Sequence, residues 1–175
     1  MIDKFHLKKI KAVVAGGSTA MQSQWNGLNK ASELFAENSI VLIHDGVRPL
    51  IDNETISKNI LSVKEKGSAV TVAPAIETIT IDNEDGSIGK IIERSKVKLA
   101  RAPQSFYLKN ILSAHKKAMV DKREFIDSAS MMQFYGYKLF SVEGLPENIK
   151  ITTPNDFYTF RALVDAKENS QVWGI

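Results

Sequence analysis

The chain contains no cysteine, which excludes disulfides, zinc–thiolate centres and a thiol nucleophile. No apolar run approaches the ~18 residues of a membrane span. The N-terminus also lacks the apolar core of a secretory signal, so a cytoplasmic location is expected. No G-x-G occurs in the 175 residues, which removes the fingerprint of a dinucleotide-binding protein. Three histidines are present and show no metal-ligand spacing. Neither sign of charge dominates: 23 Lys and Arg stand against 20 Asp and Glu, for a net charge of +3. The one basic cluster, Lys4, Lys8, Lys9 and Lys11, is not the array of cations with interleaved aromatics that a nucleic-acid face uses.

What is present fits a single α/β domain over residues 1–175. A makeup of 43% hydrophobic and 25% charged residues is that of an ordinary globular protein. Lys11–Ala15 reads as a short strand that ends at Gly16-Gly17. Thr19–Phe35 follows with Met21, Trp25, Leu28, Leu34 and Phe35 at helical spacing. Ile40–His44 holds four apolar residues in a row, the pattern of a strand buried on both faces. Asn53 caps a helix whose stripe is Ile56, Ile60 and Val63, and Gly67 ends it. Ala69–Ala73 is the next strand. The alternation predicts a largely parallel sheet with helices on both faces.

The pattern changes at about residue 76. Glu77–Ile81 alternates, Asp82–Ser87 is a turn cluster, and Ile88–Glu93 is extended again, which predicts a hairpin. Nothing nearby in sequence covers its second face, so residues 76–97 are expected to project as an arm that pairs with another subunit. Helices are predicted at Leu108–Met119 and Ser128–Tyr135, and a strand at Lys138–Val142. The last helix opens with Thr153 as cap, Pro154 in the first turn and Asp156 at capping-box spacing, with Phe157, Phe160, Leu163 and Val164 as its stripe.

The candidate site residues are scattered along the chain. His44-Asp45-Gly46 leaves the buried strand, and ligands of open α/β sheets sit at the carboxyl ends of strands. Arg48 adds a planar cation suited to phosphate or carboxylate. Asp45 at such a place serves a divalent metal as readily as it caps a turn, because Mg2+ needs one or two carboxylates plus substrate oxygens. Gly16, Gly17, Ser18 and Ser23 frame a helix start whose N–H groups could hold a nucleotide, although Gly-Gly is also a plain tight turn. Lys150 lies on an apolar extended stretch, either aimed into the sheet-edge cleft or snorkelling to solvent. Glu147 is close enough in sequence to join a metal site or to pair with Lys150.

The order GG-x5-S, HDGVRP, an arm with Thr78 and Arg94, AxAPQSF, Asp127 and ENIKITTP resembles the cytidylyltransferases of sugar-alcohol phosphates. The likeness runs from about Lys11 to Phe160. It implies a Rossmann-like fold, a homodimer made through the arm, and transfer of CMP from CTP to an alditol phosphate. By the same resemblance Gly16, Gly17, Ser18 and Ser23 contact the cytosine and ribose, and Asp45 binds Mg2+. Arg48 lies at the substrate site, and Thr78 and the partner subunit's Arg94 reach the acceptor phosphate. Lys150 stabilises the transition state.

Two departures qualify the resemblance. Family members open with a Gly-rich loop containing Arg, followed by Pro-Lys-Gln, and this loop wraps the CTP triphosphate. Nothing of that kind stands among the 175 residues, so the chain is expected to be an incomplete domain, impaired on its own. The alternative is a non-catalytic remnant, or one half of an enzyme completed by a separate chain carrying the loop. In addition, Ala102 and Ile126 replace two Thr residues of the methylerythritol phosphate branch that serves isoprenoid synthesis. The loss of two hydroxyls near the acceptor favours ribitol 5-phosphate.

Overall fold

The computed structural model describes residues 4–173. Four strands form the central sheet in the order β1-β5-β2-β6. β1 (Ile40–Ile43), β2 (Ser68–Pro74) and β6 (Ser141–Glu143) run the same way. β5 (Lys98–Tyr107) runs against them, inserted between β1 and β2. The expected α/β fold with a mostly parallel strand direction is therefore present.

Helices cover both faces. α1 (Ala20–Leu34), α3 (Leu108–Val120) and α4 (Ser128–Phe134) lie on one side. There Leu28, Phe106, Leu108, Ile111, Met131 and Met132 form the main core. Burying a side chain of this size contributes roughly 1.5–3 kcal/mol. α2 (Asn53–Lys66) covers the other side, where Val63 meets Ala69 and Val142. Alternate residues of β1 divide between the two cores, with Val41 and Ile43 toward the first and Ile40 toward the second.

Several local expectations change. Lys11–Ala15 forms no strand and joins no ladder among the described residues, and Val13 is 76% exposed. A strand is stable only when paired. β1 is apolar on both faces yet only half-buried, because it is the sheet's edge. Asp52, not Asn53, caps α2: its carboxylate accepts from the Thr55 amide at 2.7 Å. Gly67 closes that helix at φ +89°, a region open to glycine. The buried stripe of α2 is mostly polar, with Thr55, Asn59 and Ser62 beside Val63, while Ile56 and Ile60 are half-buried. Leu34 and Phe35 are exposed at the end of α1. β6 begins three residues later than expected, at Ser141.

β3 (Ile79–Asp82) and β4 (Ile88–Ile92) form a separate two-stranded sheet. Ile76, Ile81, Ile88 and Ile91 on this arm are exposed. Its two stems continue β2 and β5, which still pair at Pro74 and Lys98. The final helix, α5 (Pro154–Trp173), starts as its capping signal predicts. The Asp156 carboxylate accepts from the Thr152 and Thr153 amides, and these bonds hold its pKa down at about 2. Phe157, assigned to the buried stripe, is exposed.

Candidate active site

The three parallel strands deliver their carboxyl ends to one edge of the sheet. Past Ile43 the chain turns through Asp45, and the Arg48 amide donates to the Asp45 carbonyl at 3.0 Å. This turn folds the Arg48 side chain back, so that Nε donates to Asp45 Oδ2 at 2.9 Å. Lys150 arrives from the segment after β6, with Nζ 3.6 Å from the same oxygen. That segment is fastened by the Ile151 amide, which donates to the Val47 carbonyl at 2.9 Å. His44 Nε2 donates to the Arg48 carbonyl at 2.9 Å, which fixes its tautomer and leaves its buried Nδ1 without a partner. Asp45, Arg48 and Lys150, separated by up to 105 positions in sequence, thus meet at one carboxylate.

Arg101 was not among the expected residues and belongs to the same group. Along β2 the pairing steps from Val70 to Val72 while β5 steps from Gln104 to Ala100. β5 therefore carries two extra residues there, a bulge spanning Arg101–Pro103. Proline has no N–H for a ladder, and bulges re-aim side chains beside active sites. Arg101 donates to the carbonyls of Pro146 at 2.7 Å and Asn148 at 3.1 Å. Arg48 donates to the same Asn148 carbonyl at 2.9 Å. Asn148, 1% exposed, returns a bond from its side-chain amide to the Ala102 carbonyl at 2.8 Å. Burial, and then the adjacent Arg48, pull the Arg101 pKa below its ordinary value. Glu147 is exposed, and its charge acts favourably on Arg101. The carboxylate that meets Lys150 is that of Asp45. Among the described residues no three His, Asp or Glu side chains gather as a metal cluster.

The glycine segment forms a compact turn before α1. The Ser23 hydroxyl accepts from the Gly17 amide at 2.9 Å and donates to the Thr19 carbonyl at 3.0 Å. Gln22 Oε1 accepts from both the amide and the hydroxyl of Ser18. A Cβ on Gly17 would stand 2.4 Å from the Gln22 side chain, so only glycine fits this close approach. Asp127 caps α4 and reaches β5, where Gln104 Nε2 donates to it at 2.8 Å. Burial alone would raise its pKa, but bonds from Ser130 and Gln104 outweigh that and hold it low. Gln104 lies opposite Ile43 at the end of β1, which places Asp127 toward the Asp45 edge. Thr78 is exposed on the arm, and Arg94 at its base donates to the Ile76 carbonyl at 3.1 Å. Among the described residues no bond brings either residue to Asp45.

Arg48 and Lys150 bring two positive charges to the one carboxylate of Asp45, and Arg101 adds a third beside Arg48 at the Asn148 carbonyl. Half-exposed ion pairs add little stability, so this excess of cations at a strand end does little for the fold. The sheet and the charged group at its carboxyl edge fit a nucleotidyltransferase of Rossmann-like architecture. The chain belongs to the IspD family, 2-C-methyl-D-erythritol 4-phosphate cytidylyltransferase, whose model matches residues 2–166.

A ribitol-5-phosphate cytidylyltransferase of Streptococcus agalactiae serotype III is 49% identical over 100% of this chain and 74% of its own length. A 2-C-methyl-D-erythritol 4-phosphate cytidylyltransferase of Clostridium acetobutylicum is 37% identical over 97% of this chain and 72% of its own. Among solved structures, 4-diphosphocytidyl-2C-methyl-D-erythritol synthase of Anaerococcus prevotii superposes with a TM-score of 0.82 at 28% identity. That match covers 94% of this chain and 76% of that one.

Proposed function

We propose that the chain transfers CMP from CTP to ribitol 5-phosphate, giving CDP-ribitol and pyrophosphate. The observation that carries this reading is the convergence of Arg48 and Lys150 on Asp45 at the sheet edge. An acceptor phosphate oxygen attacks the α-phosphorus of CTP, and the bond to the bridging oxygen of pyrophosphate breaks. The phosphate nucleophile is ionised at neutral pH, so the protein's task is positioning and neutralisation of charge. Lys150 lies against the attacking and α-phosphates, and Arg48 steadies the acceptor side. The turn of Gly16, Gly17, Ser18 and Ser23 receives the cytosine and ribose. Asp127, anchored by Gln104, closes the acceptor end.

The donor set suits Mg2+, which binds one or two carboxylates and completes its shell with phosphate oxygens and water. Asp45 would hold it, with Glu147 as the second carboxylate, and the ion would neutralise triphosphate charge. The arm would pair two chains, bringing Thr78 and the partner subunit's Arg94 to the acceptor phosphate. No helix among the described residues is long and apolar enough to cross a membrane, and a cytoplasmic location belongs to the same proposal.

The choice of acceptor rests on Ala102 and Ile126, which offer no hydroxyls, and on the higher identity to the ribitol 5-phosphate relative. Competition between the two alditol phosphates, with each CDP-alditol quantified, tests it. We expect kcat/KM for ribitol 5-phosphate to exceed that for methylerythritol phosphate by at least ~10-fold, the scale of discrimination by one or two lost contacts. Equal or reversed preference overturns the assignment. Formation of neither product, including after addition of a polypeptide bearing the Gly-rich loop, overturns transfer itself.

A further inference from the structure

Arg101 makes an arrangement that folding alone does not favour. Its terminal nitrogen donates only to backbone carbonyls, those of Pro146 and Asn148 and, at 3.5 Å, Leu145. A second guanidinium, from Arg48, shares the Asn148 carbonyl. Two like charges on one acceptor repel, and the repulsion grows as water is excluded. A carbonyl has two lone pairs and can serve both donors. What the pair achieves is geometric. The Asn148 main chain is pinned by Arg48 from the β1 side and by Arg101 from the β5 side, and its side chain is pinned by Ala102. Lys150 follows two residues later.

We propose that Arg101 is a positioning residue, which clamps the 145–148 segment against the β5 bulge and so aims Lys150 at the phosphates bound beside Asp45. The inference rests on the transfer reading above and deepens it. The role assigned to Arg101 runs through the backbone, because its Nη1 is bonded to the carbonyls. Its influence reaches the chemistry through Lys150. A shift of about 1 Å in such a cation is enough to lose ~10²-fold in rate.

The test is a double-mutant cycle with Arg101→Gln and Lys150→Ala, in which kcat and KM for CTP are measured separately. Arg101→Gln should lower kcat by roughly 10–100-fold and leave KM for CTP within about twofold. Placed on Lys150→Ala, the same change should cost less than about twofold, because no lysine remains to be aimed. Arg101→Lys, which restores a donor to the carbonyls, should recover part of the loss. An equal loss on both backgrounds, or a loss confined to KM for CTP, overturns the proposal.

Hydrogen exchange supplies a readout that needs no turnover. The Ile151 amide, bonded to the Val47 carbonyl, should exchange at least ~10-fold faster in Arg101→Gln, while amides of α3 are unchanged. Unchanged exchange at Ile151 overturns the clamp. Faster exchange in a protein whose parent forms no CDP-alditol supports the clamp and overturns the transfer reading instead.

Discussion

His115 lies in the wall of an open pocket of about 570 Å3 between α1 and the end of α3, shared with Met21, Trp25, Met119 and Lys122. Its ring stands 6.1 Å from that of Trp25, and neither ring nitrogen has a hydrogen-bond partner. Burial lowers its pKa from 6.5 to about 4. Between those values the unfolded chain binds more protons than the folded one, so stability rises with pH. The contribution is complete above pH 6.5 and is lost as the pH falls toward 4. Urea midpoints at pH 5 and pH 7 should therefore differ, and His115→Leu should reduce the difference; an undiminished gap in the variant refutes the assignment. Asp45 poses the opposite case. It is half-exposed and its ion pairs contribute little to folding, so under the proposed transfer its value would lie in holding two cations in register.

α2 shows how an element can be buried without being apolar. Asn59 is fully enclosed, donates to the Thr55 carbonyl and the Thr71 hydroxyl, and accepts from the Ser105 hydroxyl at 2.9 Å. The bonds join the helix to β2 and β5. Asn59→Leu would leave two buried hydroxyls poorer in partners, at about 1–3 kcal/mol for such a group. Chemical denaturation should show a loss of ~2–4 kcal/mol for the whole network, and an unchanged midpoint would show that the polar seam adds nothing.

Such a seam has no periodic apolar signature, and Ile56, Ile60 and Val63 drew the expected stripe slightly around the helix. β5 was hidden for a related reason. Ala102-Pro103-Gln104-Ser105 contains a residue that cannot pair and two polar side chains, yet tertiary partners enclose it. The elements with local punctuation were legible: Gly67 after α2, the turn before β4, and Thr153-Pro154 before α5. Asp45 and Arg48 drew notice because a charge at a strand end needs a reason, and Lys150 because a charge on an apolar stretch does; the structure brings the three side chains together. Arg101 was not, since its place depends on a bulge that only the pairing of β2 with β5 creates.

At the scale of the molecule, the arm is an exposed hairpin, and two strands alone bury too little to stand in water. Pairing between copies of the chain would cover Ile76, Ile81, Ile88 and Ile91. Ile91→Glu should shift sedimentation toward the monomer and leave thermal unfolding of the sheet nearly unchanged. Persistence of the same assembly would exclude the arm as the contact. The arm's stems are β2 and β5 themselves, and the bulge at Arg101–Pro103 lies on β5 between the arm and the core. In mechanical terms β5 is a strut with a joint. Its outer end would carry the load of any pairing through the arm, its inner end is embedded against α3, and the joint coincides with the proposed clamp on the lysine segment. On the proposed reading, subunit pairing and the aim of Lys150 would thus share one strand.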